Sequence, residues 1–211
     1  MPTRRHFIKQ VSVVAGLGAM AASGLGLGLS PRAVLASTGS QWYMPDEGER
    51  HQQAFIAFGA QDAIWEDFTG DVQAALGRIA RAIADYEPLT VFCRKNERDL
   101  AEEHCGNHNV TYVITELDDI WMRDIGANFV VNEAGELGAV DFNFNGWGNK
   151  QRHANDARVA ALLARQQGAH HLRSELVGEG GGIEVDGQGT AILTESCWIN
   201  ANRNPDWTRA E

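Results

Sequence analysis

Short strand-type apolar runs alternate with segments of helical periodicity along this chain, and that alternation restricts it to a mixed α/β fold. Ala54 to Phe58 (AFIAF) is the first such run, and Val72 to Ala84 follows with apolar residues at helical spacing and Asp71 as its expected N-cap. Pro88 breaks that pattern. Leu89 to Cys93 (LTVFC) then reads as a buried strand, Glu97 to His104 as a short helix ended by Gly106, and Val110 to Ile114 as the next strand. Asn128 to Val131 and Leu137 to Phe142 are expected to pair antiparallel across Asn132-Glu133-Ala134-Gly135. Asp156 to Gln167 reads as a helix stopped by Gly168, and Gly182 to Val185 and Thr190 to Leu193 flank the turn Asp186-Gly187-Gln188-Gly189. The expected order is strand, helix, strand, helix, strand, hairpin, helix, hairpin.

The first 36 residues stand apart from this pattern. Arg4 and Arg5 precede Phe7, an uncharged stretch rich in Gly, Ala, Leu and Val runs from Val11 to Ser30, and Val34-Leu35-Ala36 supplies small residues at cleavage-site positions. The order resembles a twin-arginine export signal, cleaved after Ala36, which sends a folded protein to the periplasm or the exterior through the twin-arginine machinery. An uncleaved membrane anchor is the alternative, since the stretch approaches bilayer length. Five glycines between Gly16 and Gly28 weaken it as a helix. Residues 37–211 then form a single domain.

Charge narrows the partners. The full chain carries 28 acidic and 18 basic side chains, a net charge of -10. Loss of the leader removes four bases and no acid, leaving 14 bases against 28 acids. That balance excludes a nucleic-acid binder, whose surface would be rich in Lys and Arg, and suits a cationic ligand better. Three cysteines, Cys93, Cys105 and Cys197, are too few for a disulfide framework, and their redox state is not legible from spacing. The histidines place no metal-ligand pair on one helix, so no metal is expected.

Three segments carry more polar and aromatic groups than a core requires. Asp118-Asp119-Ile120-Trp121-Met122-Arg123-Asp124 follows a strand, where α/β proteins place their sites. A carboxylate there can grip a guanidinium with two hydrogen bonds, and an indole face can hold an aliphatic stem or a cation. A surface loop with a self-satisfied Arg-Asp pair is the alternative. Asn143-Phe144-Asn145-Gly146-Trp147-Gly148-Asn149 is a turn that can approach a ligand closely, or one that simply buries its Trp. Glu179-Gly180-Gly181-Gly182 puts a carboxylate beside a backbone free of side chains. A strand and hairpin follow it, which rules out a dinucleotide fingerprint. Cys197, inside Ser196-Cys197-Trp198, reads as a packed thiol.

Taken together, Trp121-Met122-Arg123-Asp124 behind Asp118-Asp119, Phe144-Asn145-Gly146-Trp147-Gly148, Glu179-Gly180-Gly181 and Asn202-Arg203-Asn204-Pro205 resemble the agmatine deiminase and bacterial-type peptidylarginine deiminase family. The resemblance spans roughly Met44 to Pro205. It implies a pentein fold, an α/β propeller of five βαβ-like units around a central site. It also implies hydrolysis of a guanidinium to a ureido group and ammonia without metal or organic cofactor. In that family a cysteine thiolate attacks the guanidinium carbon, a histidine works as acid and then base, and carboxylates hold the nitrogens. By the resemblance Asp124 is a catalytic carboxylate that binds substrate, Trp121 is the aromatic beside it, and Glu179 is the acid near the catalytic histidine. Arg123, Asp118 and Asp119 orient the loop.

The departures from the family pattern are equally specific. No His-x-Asp triplet occurs in the 211 residues, and none of the three cysteines lies in the nucleophile's Gly-rich context. The expectation is an N-terminal portion of a deiminase, about three of five units, acting on agmatine or peptidyl-arginine. A catalytically inactive remnant that at best binds guanidinium compounds is the alternative. Homo-oligomerisation is left open.

Overall fold

The computed structural model describes residues 41–210. The leader, its twin arginine and its cleavage site fall outside the described residues.

A three-stranded parallel sheet organises the first half. Its strands are β2 (Ala54–Phe58), β3 (Leu89–Cys93) and β4 (Val110–Ile114). β3 lies in the middle, with Ala54 opposite Leu89 and Leu89 opposite Val110. Every residue of β3 is buried, as a central parallel strand covered on both faces must be. Period-two alternation splits it: Leu89, Val91 and Cys93 join Ile56, Phe58, Ala80 and Cys105 in one core, while Phe92 joins Ala57, Leu117, Ile125 and Leu163 in another.

The first core is closed by helices. The one-turn helix α1 (Asp62–Trp65) runs through a 3-10 turn into α2 (Thr69–Ala84), and α3 (Arg98–Cys105) packs beside it. Gly77 makes the close crossing of α2 and α3 feasible, since a Cβ there would lie 2.5 Å from the carbonyl oxygen of His104. The expected cap at Asp71 is corrected. The helix starts three residues earlier, at Thr69, Phe68 stands at the N-cap without a side-chain bond, and Asp71 lies in the first turn. The chain enters α2 already helical, and the Thr69 N–H bonds the Glu66 carbonyl, so less is left for a capping side chain to do. Asp71 still complements the helix dipole.

The second sheet has the order β1-β5-β6-β7. β5 (Asn128–Asn132) and β6 (Leu137–Asp141) form the expected hairpin, with Asn132 Oδ1 accepting the N–H groups of Ala134 and Glu136 in its turn. Two strands were not legible beforehand. β1 (Trp42–Tyr43) is only two residues long and pairs antiparallel with β5. β7 (His170–Arg173) runs parallel to β6 after the helix that ends at Gln167, and its His-His-Leu-Arg sequence has neither alternation nor β-branched residues. Three of its four residues are exposed, so pairing with β6 defines it, and its own pattern does not.

A third sheet begins with β8 (Ile183–Val185) and β9 (Ala191–Leu193), antiparallel across a turn in which Asp186 accepts the N–H groups of Gln188 and Thr190. Three separate sheets thus make up the described residues, the second of them taking β1 from ahead of the first. Among the described residues no helix is long and apolar enough to cross a membrane.

Candidate functional site

The four motifs, scattered over 87 positions of sequence from Asp118 to Asn204, converge beyond the C-terminal ends of β3 and β4. The segment after β4 is anchored first. Asp118 and Asp119 are both buried. Asp118 and Asp156 clasp each other: the Asp118 N–H donates to Asp156 Oδ1 at 2.8 Å, and Asp118 Oδ2 accepts the Asp156 N–H at 3.4 Å and that of Asn155 at 2.7 Å. The Arg152 Nε lies 3.1 Å from Asp118 Oδ1. Asp119 takes three donors, the indole N–H of Trp65 at 2.7 Å, that of Trp121 at 2.9 Å and the Gln151 amide at 2.9 Å.

The chain then makes one turn of helix, α4 (Met122–Ile125), which drops Ile125 into the core and leaves its polar residues toward the surface. Arg123 reaches back to Glu47 in a two-pronged ion pair, 2.7 Å on each arm. The pairing holds the Glu47 carboxyl below its ordinary value and raises the Arg123 guanidinium further. Arg123 therefore ties the loop to the segment after β1, with a partner 76 residues away.

Asp124 is fixed differently. Its Oδ2 accepts the Trp147 indole N–H at 3.0 Å and its Oδ1 the Gly181 N–H at 3.1 Å. Among the described residues it enters no ion pair. Trp147 is delivered by an unusual backbone. Gly146, Trp147, Gly148 and Asn149 all have positive φ (68°, 57°, 84° and 60°), forming one left-handed helical turn closed by the Asn149 and Lys150 N–H groups on the Asn145 and Gly146 carbonyls. Left-handed turns cost about 1–2 kcal/mol for each residue bearing a Cβ. The Asn-Gly-Trp-Gly-Asn sequence keeps that cost low by placing Gly and Asn at three of the four positions.

The Gly-rich segment completes the enclosure. A Cβ on Gly181 would lie 2.3 Å from Asp124 Oδ1, so glycine at this position lets the carboxylate keep its place against the Gly181 N–H. Glu179 is buried and paired with Arg203, whose Nε and Nη2 lie 2.8 and 2.7 Å from Glu179 Oε1. Asn204 splices the last motif into the site by bonding both the N–H and the carbonyl of Val177. Asn145 donates to the Asn202 carbonyl at 3.0 Å, linking the left-handed turn to the same segment. The Asn-Arg-Asn-Pro motif thus works as a clamp on Glu179 and on the turn that carries Trp147.

Trp65, Gln151 and Glu47 belong to this arrangement but were not singled out in sequence, and Arg203 stood in the last motif without an assigned role. Trp65 lies in the short Asp-Ala-Ile-Trp helix outside any motif, and the partners of Gln151 and Glu47 are distant in the chain. Cys93 and Cys105 are in the core, where burial pushes both thiols up, that of Cys105 to about 11. Cys197 lies on α6 (Glu195–Trp198), after the helix α5 (Val159–Gln167), and is half-buried. His104 and His108 are four positions apart, but the helix ends at Cys105 and Gly106 has a φ of 79°, so that spacing does not bring them onto one helical face. Among the described residues no group of three or more His, Cys, Asp and Glu is arranged to hold a metal ion.

A carboxylate held by two N–H donors, with no ion pair among the described residues and with indoles beside it, has the chemistry to accept a planar organic cation. The model of the Porphyromonas-type peptidyl-arginine deiminase family matches residues 43–211, and the chain belongs to that family. It is 36% identical over 185 residues to the agmatine deiminase of Stutzerimonas stutzeri, covering 84% of this chain and 50% of that protein. To the agmatine deiminase of Pseudomonas aeruginosa it is 34% identical over 174 residues, covering 80% of this chain and 47% of that one. The solved agmatine deiminase of Enterococcus faecalis superposes with a TM-score of 0.75 at 29% identity, over 82% of this chain and 50% of that one. The chain spans about half the length of the relatives it matches, and its fold is a partial pentein.

Proposed function

We propose that the protein is a guanidinium hydrolase that converts agmatine, or arginine within a peptide, to the ureido product and ammonia. The observation that carries the reading is Asp124: a half-buried carboxylate, each oxygen held by one N–H donor and neither in an ion pair among the described residues. A guanidinium supplies the missing charge and two parallel N–H donors. Trp121, exposed beside it, offers an indole face to the carbon arm of the substrate. Glu179, its charge balanced by Arg203, is a second fixed acid at the same place. Agmatine is supported by the relatives, and peptidyl-arginine by the family description.

These residues form the substrate-holding part of the site. Attack on the guanidinium carbon needs a thiolate, and burial moves Cys93 and Cys105 away from that form. We place the thiolate and the acid–base histidine in residues beyond those given, so the 211-residue chain should bind agmatine without releasing ammonia. Calorimetric titration of the chain with agmatine and with an arginine peptide tests this. Asp124→Asn should lose about tenfold or more in affinity, the scale of a hydrogen bond to a charged group. Unchanged affinity refutes the role of Asp124, and ammonia release by the chain alone refutes the placement of the nucleophile. Export through a twin-arginine leader is part of the same proposal, and N-terminal sequencing of secreted protein tests it: a start at Met1 removes cleavage after Ala36.

A further inference from the structure

The helix α2 is apolar on two faces. One is the core face, where Gly77, Ala80 and Ala84 are buried and Leu76 and Ile83 pack against the first core. The other points outward. Phe68, Val72, Ala75, Ile79, Ala82 and Tyr86 follow one another at alternating steps of four and three residues, from the N-cap to just past the last turn. That is the period of a coiled-coil seam, and it keeps all six close to one line along the helix. Phe68 is 67% exposed, Ile79 52% and Tyr86 90%, while Ala82 is exposed and Val72 and Ala75 are half-buried. A helix that only covers a sheet carries polar residues on its outer side, so an outward apolar line of this length calls for a second surface.

The borders of the stripe indicate which surface. Asp71, Arg78 and Asp85 stand along one border, one in each heptad, alternating in sign and all exposed. Neither Asp71 nor Arg78 enters an ion pair among the described residues. Leu76 and Ile83 stand along the other border and belong to the core, so charge lines one side only. A copy of α2 laid antiparallel brings the two charged borders together. With Val72 against Ala75 of the second copy and Phe68 against its Ile79, Asp71 falls opposite Arg78 of that copy. Two-fold symmetry repeats each of these contacts. The small Ala75 then lies beside the axis, where the helices come closest. A parallel pair would set the charged border against Leu76 and Ile83, and an antiparallel pair centred on Arg78 would oppose Arg78 to itself and Asp71 to Asp85. Charge therefore selects one alignment.

We propose that the chain pairs with a second copy of itself through the outer stripe of α2, the two helices running antiparallel and held in register by Asp71 and Arg78. The proposal is independent of the reading of Asp124. A helix of 16 residues is about 24 Å long. One helix pair of that length buries at most about 1,200 Å² in total, the low end for specific complexes, so the dimer should dissociate with a Kd of about 1–100 µM.

Sedimentation velocity on the full chain in low salt, from about 1 to 200 µM, tests this range, over which the parent should pass from monomer to dimer. Ile79→Glu puts a charge into the seam and should weaken pairing by about tenfold or more. Asp71→Arg or Arg78→Asp alone sets like charges together twice and should weaken it by about fivefold. The double variant Asp71→Arg/Arg78→Asp recreates the ion pairs with their signs exchanged and should return to within about twofold of the parent. All three positions are exposed, and unchanged far-ultraviolet circular dichroism verifies that each variant is folded. Association through the apolar leader would not respond to these exchanges. A parent that stays monomeric at about 200 µM, a dimer undiminished in Ile79→Glu, or a double variant that pairs no more tightly than either single one overturns the proposal.

Discussion

Asp156 offers a direct measure of how tightly the site loop is built. It opens the 3-10 turn that leads into α5 and is 1% exposed. Its Oδ1 accepts the Asp118 N–H, while its Oδ2 is buried without a partner among the described residues. Burial, reinforced by the negative charges of Asp118 and Asp119, raises its pKa from 3.8 to about 7. The native state therefore keeps a proton that the unfolded chain releases above about pH 4. Stability contributed by this proton is fully present at pH 4 and below. It declines as pH rises toward 7 and is gone above it, because νU − νN is negative in that window. A difference of about three pKa units corresponds to roughly 4 kcal/mol over the window. Asp156→Asn keeps an acceptor for the Asp118 N–H and carries no charge. At about pH 8 it should be more stable than the parent by roughly 1–3 kcal/mol, the remainder being spent on a buried amide without a full set of partners. Near pH 4 the two proteins should be close, or the variant slightly weaker. Urea unfolding followed by tryptophan fluorescence, repeated from about pH 4.5 to 8.5, gives the difference directly. A difference that does not change with pH would refute the argument.

Other perturbations address the rest of the site. Arg203→Met strands Glu179 as a buried charge and should cost about 3–5 kcal/mol, measured by urea unfolding. Adding Glu179→Gln should recover much of it, and no recovery would mean that Arg203 acts through packing alone. Gly181→Ala puts a methyl group 2.3 Å from Asp124 Oδ1. It should weaken agmatine binding about tenfold by turning the carboxylate away from the Gly181 N–H. Iodoacetamide at about pH 8 should label native Cys197 and spare Cys93 and Cys105, whose thiols are buried and raised. Peptide mapping that finds Cys105 modified before Cys197 would contradict this ranking.

Much of the architecture was legible because it is written at short range. Leu89 to Cys93 could be read as a buried strand from its largely apolar run, and the hairpin at Asn132 to Gly135 from its turn residues. The Asn-Gly-Trp-Gly-Asn sequence marked a turn that tolerates positive φ, although not that it would be a left-handed helical one. Likewise the four motifs pointed to one family because their residue types and order are local properties, and family and fold both bear that resemblance out.

Where a residue's role depends on a distant partner, one-dimensional pattern is silent. β7 has no strand signature and exists because β6 offers it an edge. Asp71 looked like a cap, but the helical turn before it had already supplied the entry into α2. The pairing of Arg123 with Glu47, the clamp of Arg203 on Glu179 and the hold of Asp119 on Trp65 span 76, 24 and 54 positions. Backbone geometry imposes a period on every helix and strand, so hydrophobic periodicity located most of the elements, with β1 and β7 as the exceptions. No such period links a buried carboxylate to its donors, and only the tertiary packing decided that Asp118 and Asp119 would be buried while Asp124 of the same loop stays half-buried on the Trp147 and Gly181 N–H groups.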